Sequence, residues 1–284
     1  MATVVTPIIL NQVYNLSNQN NQITVKFPNP LELKNKAIAL GYFGLYYSWF
    51  NVSSALNNNA FSYIWTDGMT YPVNSGGTYT TTLQDGNYSY SDINNVLIQT
   101  MNANNHYVLD ANGNPVYFLN LSADTTYYRI LFTSTKVEVP SGGTNPYSVT
   151  TGYFPQFVIP NTNIQSLFGQ TYGTFPPTQS PGGTIYNFLG NEIPQITTIT
   201  TVNINISLQI NSPFNQNVNT IYQFSPNVPY PQFISPQINY PFFYRLADTM
   251  AQQITLSLTD QNGLPLQIVD TSSMSFTLLI ADAK

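Results

Sequence analysis

"TVNINISLQIN", Thr201–Asn211, sets Val202, Ile204, Ile206, Leu208 and Ile210 at every second position. That period puts all five on one face of a β-strand, toward a core. The spacers Asn203, Asn205, Ser207 and Gln209 form the other face, and none is charged. Buried amides can be satisfied by hydrogen bonds, whereas an unpaired buried charge costs several kcal/mol. The expectation is therefore that this second face is covered, by a neighbouring copy or by the chain's own loops.

The neutrality extends to the whole chain. Seven Lys and Arg and twelve Asp and Glu make up 7% of 284 residues, with a net charge of −5; about 25% is usual. Thirty-five Asn, with Gln, Ser and Thr, carry the polarity instead. Lys34 and Lys36 are the closest approach to a basic cluster, too little for counterion-release binding, so no specific nucleic acid is expected. With no cysteine, thiol catalysis and Cys-ligated metal are excluded. Hydrophobic residues at 42% and aromatics at 14% argue against disorder. The opening MATVVTPIILNQ lacks a basic n-region and is not read as a secretory signal. No apolar run approaches the length of a membrane span.

Outward from the opening strand, turn-bounded segments repeat the β pattern. Residues 1–14 read as an extended N-terminal arm reaching a neighbour. Gln22–Phe27 alternates, with Pro28 and Pro30 ending it. Ala37–Phe50 is apolar on both faces, as in a central strand, and Gly41 and Gly44 suggest a bend or bulge. Phe61–Trp65, Thr78–Leu83, Val116–Leu121, Tyr127–Thr133, Ile254–Leu258 and Met274–Ile280 are further strands. Asp67-Gly68, Asp85-Gly86, Asn112-Gly113 and Asn262-Gly263 supply turns. One helix is predicted from a cap at Ser91 and a stripe of Ile93, Val96, Leu97, Thr100 and Met101. Residues 140–198 read as a long loop excursion with a helical turn at Asn163–Gly169. Pro213–Phe243 reads as a Pro- and aromatic-rich connection. The sum is an all-β fold: a single jelly-roll β-sandwich over residues 15–284 with one short helix and long inter-strand loops.

Chemistry is sparse. His106, the sole histidine, follows the helix end and is expected at the surface or against the helix dipole. Asp110-Ala111-Asn112-Gly113-Asn114 resembles the start of a calcium loop, but the twelfth position is Leu121, and a hairpin turn explains the residues more simply. The sequons at Asn15, Asn51, Asn87, Asn120 and Asn205 are expected by chance in so Asn-rich a chain. Tyr42, Phe43, Tyr46, Tyr47, Trp49 and Phe50 read as core and subunit interface, with a sugar-binding surface as the alternative use of the tyrosines. No catalytic, cofactor-binding or metal-ligating residue is assigned, no cofactor is expected, and the chain is not read as an enzyme.

Leu31–Val52, LELKNKAIALGYFGLYYSWFNV, resembles a stretch in the penton proteins of virophages and polinton-like viruses, which are single jelly-roll minor capsid proteins. Leu83–Asn102, the segment NIQSLFG and the closing pair within Ile254–Ile280 are similar to later blocks of that family, in the same order. The resemblance implies a non-enzymatic structural protein of the virion. It implies a homopentamer at the five-fold vertices of an icosahedral capsid, surrounded by major capsid protein trimers of double jelly-roll type. The arm would reach an inner minor capsid protein. The alternative is a carbohydrate-binding β-sandwich of a viral fibre or adhesin.

Overall fold

A computed structural model of the chain describes residues 5–12, 15, 19–66, 77–197, 199–210, 219–247 and 249–283; the expected turn at Asp67-Gly68 lies outside them. In chain order the elements begin with β1 (Val5–Asn11), β2 (Gln22–Glu32), β3 (Lys36–Tyr46), β4 (Ala60–Ile64), β5 (Thr78–Thr82) and α1 (Tyr90–Ala103). Next come β6 (Val108–Leu109), β7 (Pro115–Val116), β8 (Leu119–Asp124), β9 (Arg129–Thr135), β10 (Gln156–Ile159), α2 (Ile164–Phe168), β11 (Gly173–Phe175) and β12 (Ile185–Leu189). The last six are β13 (Val202–Ile206), β14 (Thr220–Phe224), β15 (Phe233–Ile234), β16 (Tyr244–Arg245), β17 (Met250–Thr259) and β18 (Ser275–Asp282). Two compact units emerge, one of residues 1–50 with 199–284, the other of 51–198.

The first unit is the jelly roll. One sheet runs β1-β18-β3, with β15 and β16 sharing the edge position at opposite ends of β3; the other runs β14-β13-β17-β2. Numbering the strands of this unit from its start, the orders are 1-8-3-6 and 5-4-7-2, with all pairs antiparallel. That interleaving of two Greek keys is the jelly-roll topology. The inner faces meet around Phe43 of β3, whose ring lies 4.6 Å from Phe224 and 5.6 Å from Tyr222 on β14.

The pattern of β3 explains its glycines. Ile38 and Leu40 point inward, then Phe43 and Leu45 do, so the parity changes between them. Opposite, Thr277 pairs Tyr42 while Leu278 pairs Leu40, leaving Gly41 as the extra residue of a β-bulge, as its sequence position suggests. A side chain at Gly41 would lie 2.8 Å from Leu279 Cγ, so a larger residue there would have to displace that leucine.

Three expectations change here. The strand starting at Gln22 does not stop at Pro28 but continues to Glu32. It lies at a sheet edge, and its register skips between Lys26 and Leu31, so the prolines occupy a bulge and remove no ladder bond. The expected free arm is instead the first strand of the roll. β1 pairs β18 over seven residues, and Leu10 is fully buried in the core. The central strand β3 is covered on both faces only in part, because Tyr42 and Tyr46 on its outward side are exposed.

Residues 51–198 carry their own core, which is why the single domain expected over 15–284 resolves into two units. This second unit has sheets β11-β10-β4-β5 and β12-β9-β8. The stretch read as a loop excursion, 140–198, supplies β10, β11, β12 and α2, and buries Phe157, Ile159, Ile164, Leu167 and Phe168. Its apolar residues come in short clusters between prolines and glycines, so periodicity is lost although burial is complete. Helix α1 presents Ile93, Leu97 and Met101 to this core, as its stripe predicts. The N-cap is Ser89 rather than Ser91. From Ser89, Asp92 is the third helical residue, and the two form a capping box with Ser89 N–H donating to Asp92 at 2.8 Å. The bond from the Ser89 hydroxyl, with the backbone bond, holds the Asp92 carboxyl below its usual range.

Candidate assembly surface

Each sheet of the jelly-roll unit has an outward face. On β13 the neutral spacers are half-buried and bonded across strands. Asn203 donates to the Asp260 carbonyl at 2.8 Å and accepts from Gln223 at 2.8 Å. Asn205 donates to Thr259 Oγ1 at 3.1 Å and accepts from Thr220 at 2.6 Å. Thr255 N–H donates to Ser207 Oγ, and its hydroxyl bonds that of Thr24 at 2.8 Å. Ser207 and Gln209 are exposed, so the chain's own described loops do not cover the face as expected; it is a ladder of amides and hydroxyls that bond one another, which gives the missing charges a local reason. Asn205→Lys removes two of these bonds and supplies no acceptor for Thr220. The expected loss is about 1 kcal/mol in a urea melt, between the near-zero of a free surface site and the larger loss of a sealed one. A change indistinguishable from zero would make the ladder energetically idle.

The outward face of β1-β18-β3 is different in kind. Three cross-strand rows lie in register: Val5–Ala281–Ala37, Pro7–Leu279–Ala39 and Ile9–Thr277–Tyr42. None of the nine side chains is charged. Ile9 is 62% exposed and Tyr42 38%. At the other end of β3, Tyr46 packs edge-on against Phe233 at 5.2 Å, and a side chain at Gly44 would strike both Phe233 and Tyr42. The aromatic run read as core and interface thus divides. Phe43 and Trp49 are core, Tyr42 and Tyr46 face outward, and Tyr47 and Phe50 are half-buried. The connection after β15 adds Tyr240 and Phe242, both largely exposed.

At the end of this face the row continues onto a fourth strand, since Arg245 pairs Ala37. The two central alanines leave a depression between Val5 and Arg245. Phe243, Asp282 and Ala283 complete an open pocket of about 370 Å³.

Elsewhere the singled-out residues serve the fold. His106 is buried, not at the surface as expected. Helix α1 ends in paired backbone bonds, Asn105 N–H to Asn102 O and His106 N–H to Met101 O, with Asn105 left-handed at φ 59°. This is a Schellman ending, and it turns the side chain of its last residue inward. There His106 stacks on Trp65 at 4.6 Å and shares a 2.9 Å hydrogen bond between Nδ1 and the Tyr63 hydroxyl. Asp110 accepts from the backbone of Asn112 and Asn114 and from the Asn114 side chain, and those bonds from Asn114 hold its carboxyl low. Its oxygens close the β6–β7 hairpin, as the turn reading expects. The Asn51 amide is buried and bonded to the Tyr88 backbone at both ends. Among the described residues, no three His, Cys, Asp or Glu side chains converge, and no helix is long and apolar enough to cross a membrane.

No protein-family model and no curated protein sequence matches the chain. Among solved structures, the chain is similar to the crystal structure of selenomethionine-labelled mavirus penton protein. The alignment covers 98% of each chain at 11% identity, with a TM-score of 0.46.

Proposed function

We propose that the protein is a structural component of a viral capsid, a penton whose five copies close a ring at the five-fold vertices of an icosahedral virion. The observation that carries the reading is the set of uncharged rows on the outward face of β1-β18-β3, on a jelly roll whose sequence blocks follow the penton order. Exposed apolar area of this kind marks an interaction surface. A ring of five needs heterologous contacts, one patch meeting a different patch of the next copy. The projecting Tyr240 and Phe242 offer the second patch. Trimers of a double jelly-roll major capsid protein would surround the ring. An inner capsid protein, if it meets the N-terminal segment, meets it as the outward face and free edge of β1.

Native mass spectrometry should give a pentamer whose mass is insensitive to salt, because apolar contacts are little screened. Ile9→Lys with Tyr42→Lys should leave thermal unfolding of the monomer unchanged. Each buried ammonium should weaken an interface by about a hundredfold or more. A wild-type monomer at every concentration, a trimer, or a double variant that still closes the ring would overturn the reading.

One observation favours the carbohydrate-binding alternative. Tyr107, Tyr117 and Tyr147 form a surface group with ring centroids 5.8 and 5.1 Å apart, and the hydroxyls of Tyr107 and Tyr147 are 2.8 Å apart. A glycan array in which Tyr147→Ala loses a signal present in the wild type would support it.

A further inference from the structure

The pocket at the end of the β1-β18-β3 face has a chemistry that the assembly reading does not use. Its floor is one cross-strand row, Val5–Ala281–Ala37–Arg245. Two methyl groups stand between two larger side chains, and that contrast creates the hollow. Phe243, two residues before Arg245 on the same chain, forms a wall. The chain has two arginines. Arg129 donates to the Gly190 carbonyl at 3.0 Å. Arg245 has no hydrogen-bond or ion-pair partner among the described residues. Asp282, which also lines the pocket, has its carboxylate paired with Lys36 at 2.6 Å. Among the described residues that line the pocket, Arg245 is the charged one left without a partner.

We propose that this pocket binds a monocarboxylate bearing a short apolar group. The guanidinium presents a planar fork of donors that matches a carboxylate. The alanine floor and the Phe243 ring accept the apolar part. The volume lies at the small end for ligand sites, which suits one side chain rather than a large cofactor. An apolar C-terminal residue of a partner chain has this chemistry, and so does a free short-chain acid. The pocket's floor row is also one of the three rows that the ring reading uses, so binding is also measured on the Ile9→Lys, Tyr42→Lys chain, where a closed ring does not cover it.

The test uses the full chain with 13C-labelled alanine methyl groups, titrated with N-acetyl-leucine, N-acetyl-leucinamide and 4-methylpentanoate. The Ala37 and Ala281 methyl signals should shift with N-acetyl-leucine, and the amide should bind at least about tenfold more weakly. Arg245→Gln should weaken the acid by about tenfold or more, with Arg245→Lys in between. Arg245 is exposed, so both variants should fold, as circular dichroism can verify. If 4-methylpentanoate binds as tightly as N-acetyl-leucine, the source is a free acid; if a leucine-ended tetrapeptide binds about tenfold more tightly than either, it is a chain terminus. Absence of methyl shifts up to about 50 mM, equal binding of acid and amide, or indifference to Arg245→Gln would each overturn the proposal.

Discussion

Deleting residues 2–12 is expected to unfold the jelly-roll unit. The deletion removes β1, whose seven residues pair with β18 from Val5–Ala281 to Asn11–Ser275. It also removes Leu10, fully buried, and Ile8, packed against the same core. Truncating a buried leucine alone costs about 2–5 kcal/mol. Adding an exposed edge on β18 should consume most of the 5–15 kcal/mol that typically holds a domain together. The readout is the fluorescence of Trp49, buried in this unit, followed through a urea melt. A red-shifted emission without denaturant is the expected result. A variant keeping the wild-type spectrum and midpoint would mean that the segment is a detachable arm, as its isolated apolar run suggests in the sequence.

Phe132→Ala should be the most damaging single truncation in the second unit. The ring lies 4.7 Å from Phe188, stacked, and 5.2 and 5.7 Å edge-on from Phe157 and Phe168. It therefore ties β9 to β10, α2 and β12, the elements of the supposed loop excursion. The expected cost is about 3–5 kcal/mol, of which aromatic contact geometry supplies about 1 kcal/mol per pair beyond area. Chemical denaturation followed by Trp65, buried in this unit, measures it. A loss below about 1 kcal/mol would show that these aromatic contacts do not hold the unit together.

These two variants fall where the sequence was hardest to read, and for the same reason. Alternation within a strand is local, so Val202, Ile204 and Ile206 were legible as a core face, and Gly41 as a bulge. The capping box is local too, yet two serines two residues apart compete for it, and only the position of Asp92 selects Ser89. Pairing is not local. Nothing within Val5–Asn11 says that its partner lies about 270 residues later, and nothing within Gln22–Glu32 says that it sits at an edge where Pro28 and Pro30 are harmless. The Arg245 pocket was invisible for that reason. Its floor joins four strands that are distant in sequence, and the small residues Ala37 and Ala281 become a signal only once they stand side by side. His106 reads as a surface residue in the sequence because a Schellman ending depends on one left-handed residue, Asn105, and Asn there is a weaker cue than Gly.

The pairing of β1 with β18 also orders events during synthesis. Chains emerge from the ribosome at about 5–20 residues per second, and domains generally fold as units. The described core residues of 51–198 pack on one another within that segment, so it is expected to fold once it has emerged. The jelly roll cannot. Its third strand must wait for β18, and its first strand waits for the same residues, Ser275–Asp282. For most of translation, β1 and β3 are therefore unpaired apolar strands attached to an already folded unit. Such a nascent chain exposes the edges that chaperones recognise, and Pro7 within β1 and the prolines of β2 interrupt the runs that would otherwise pair between polysomal neighbours.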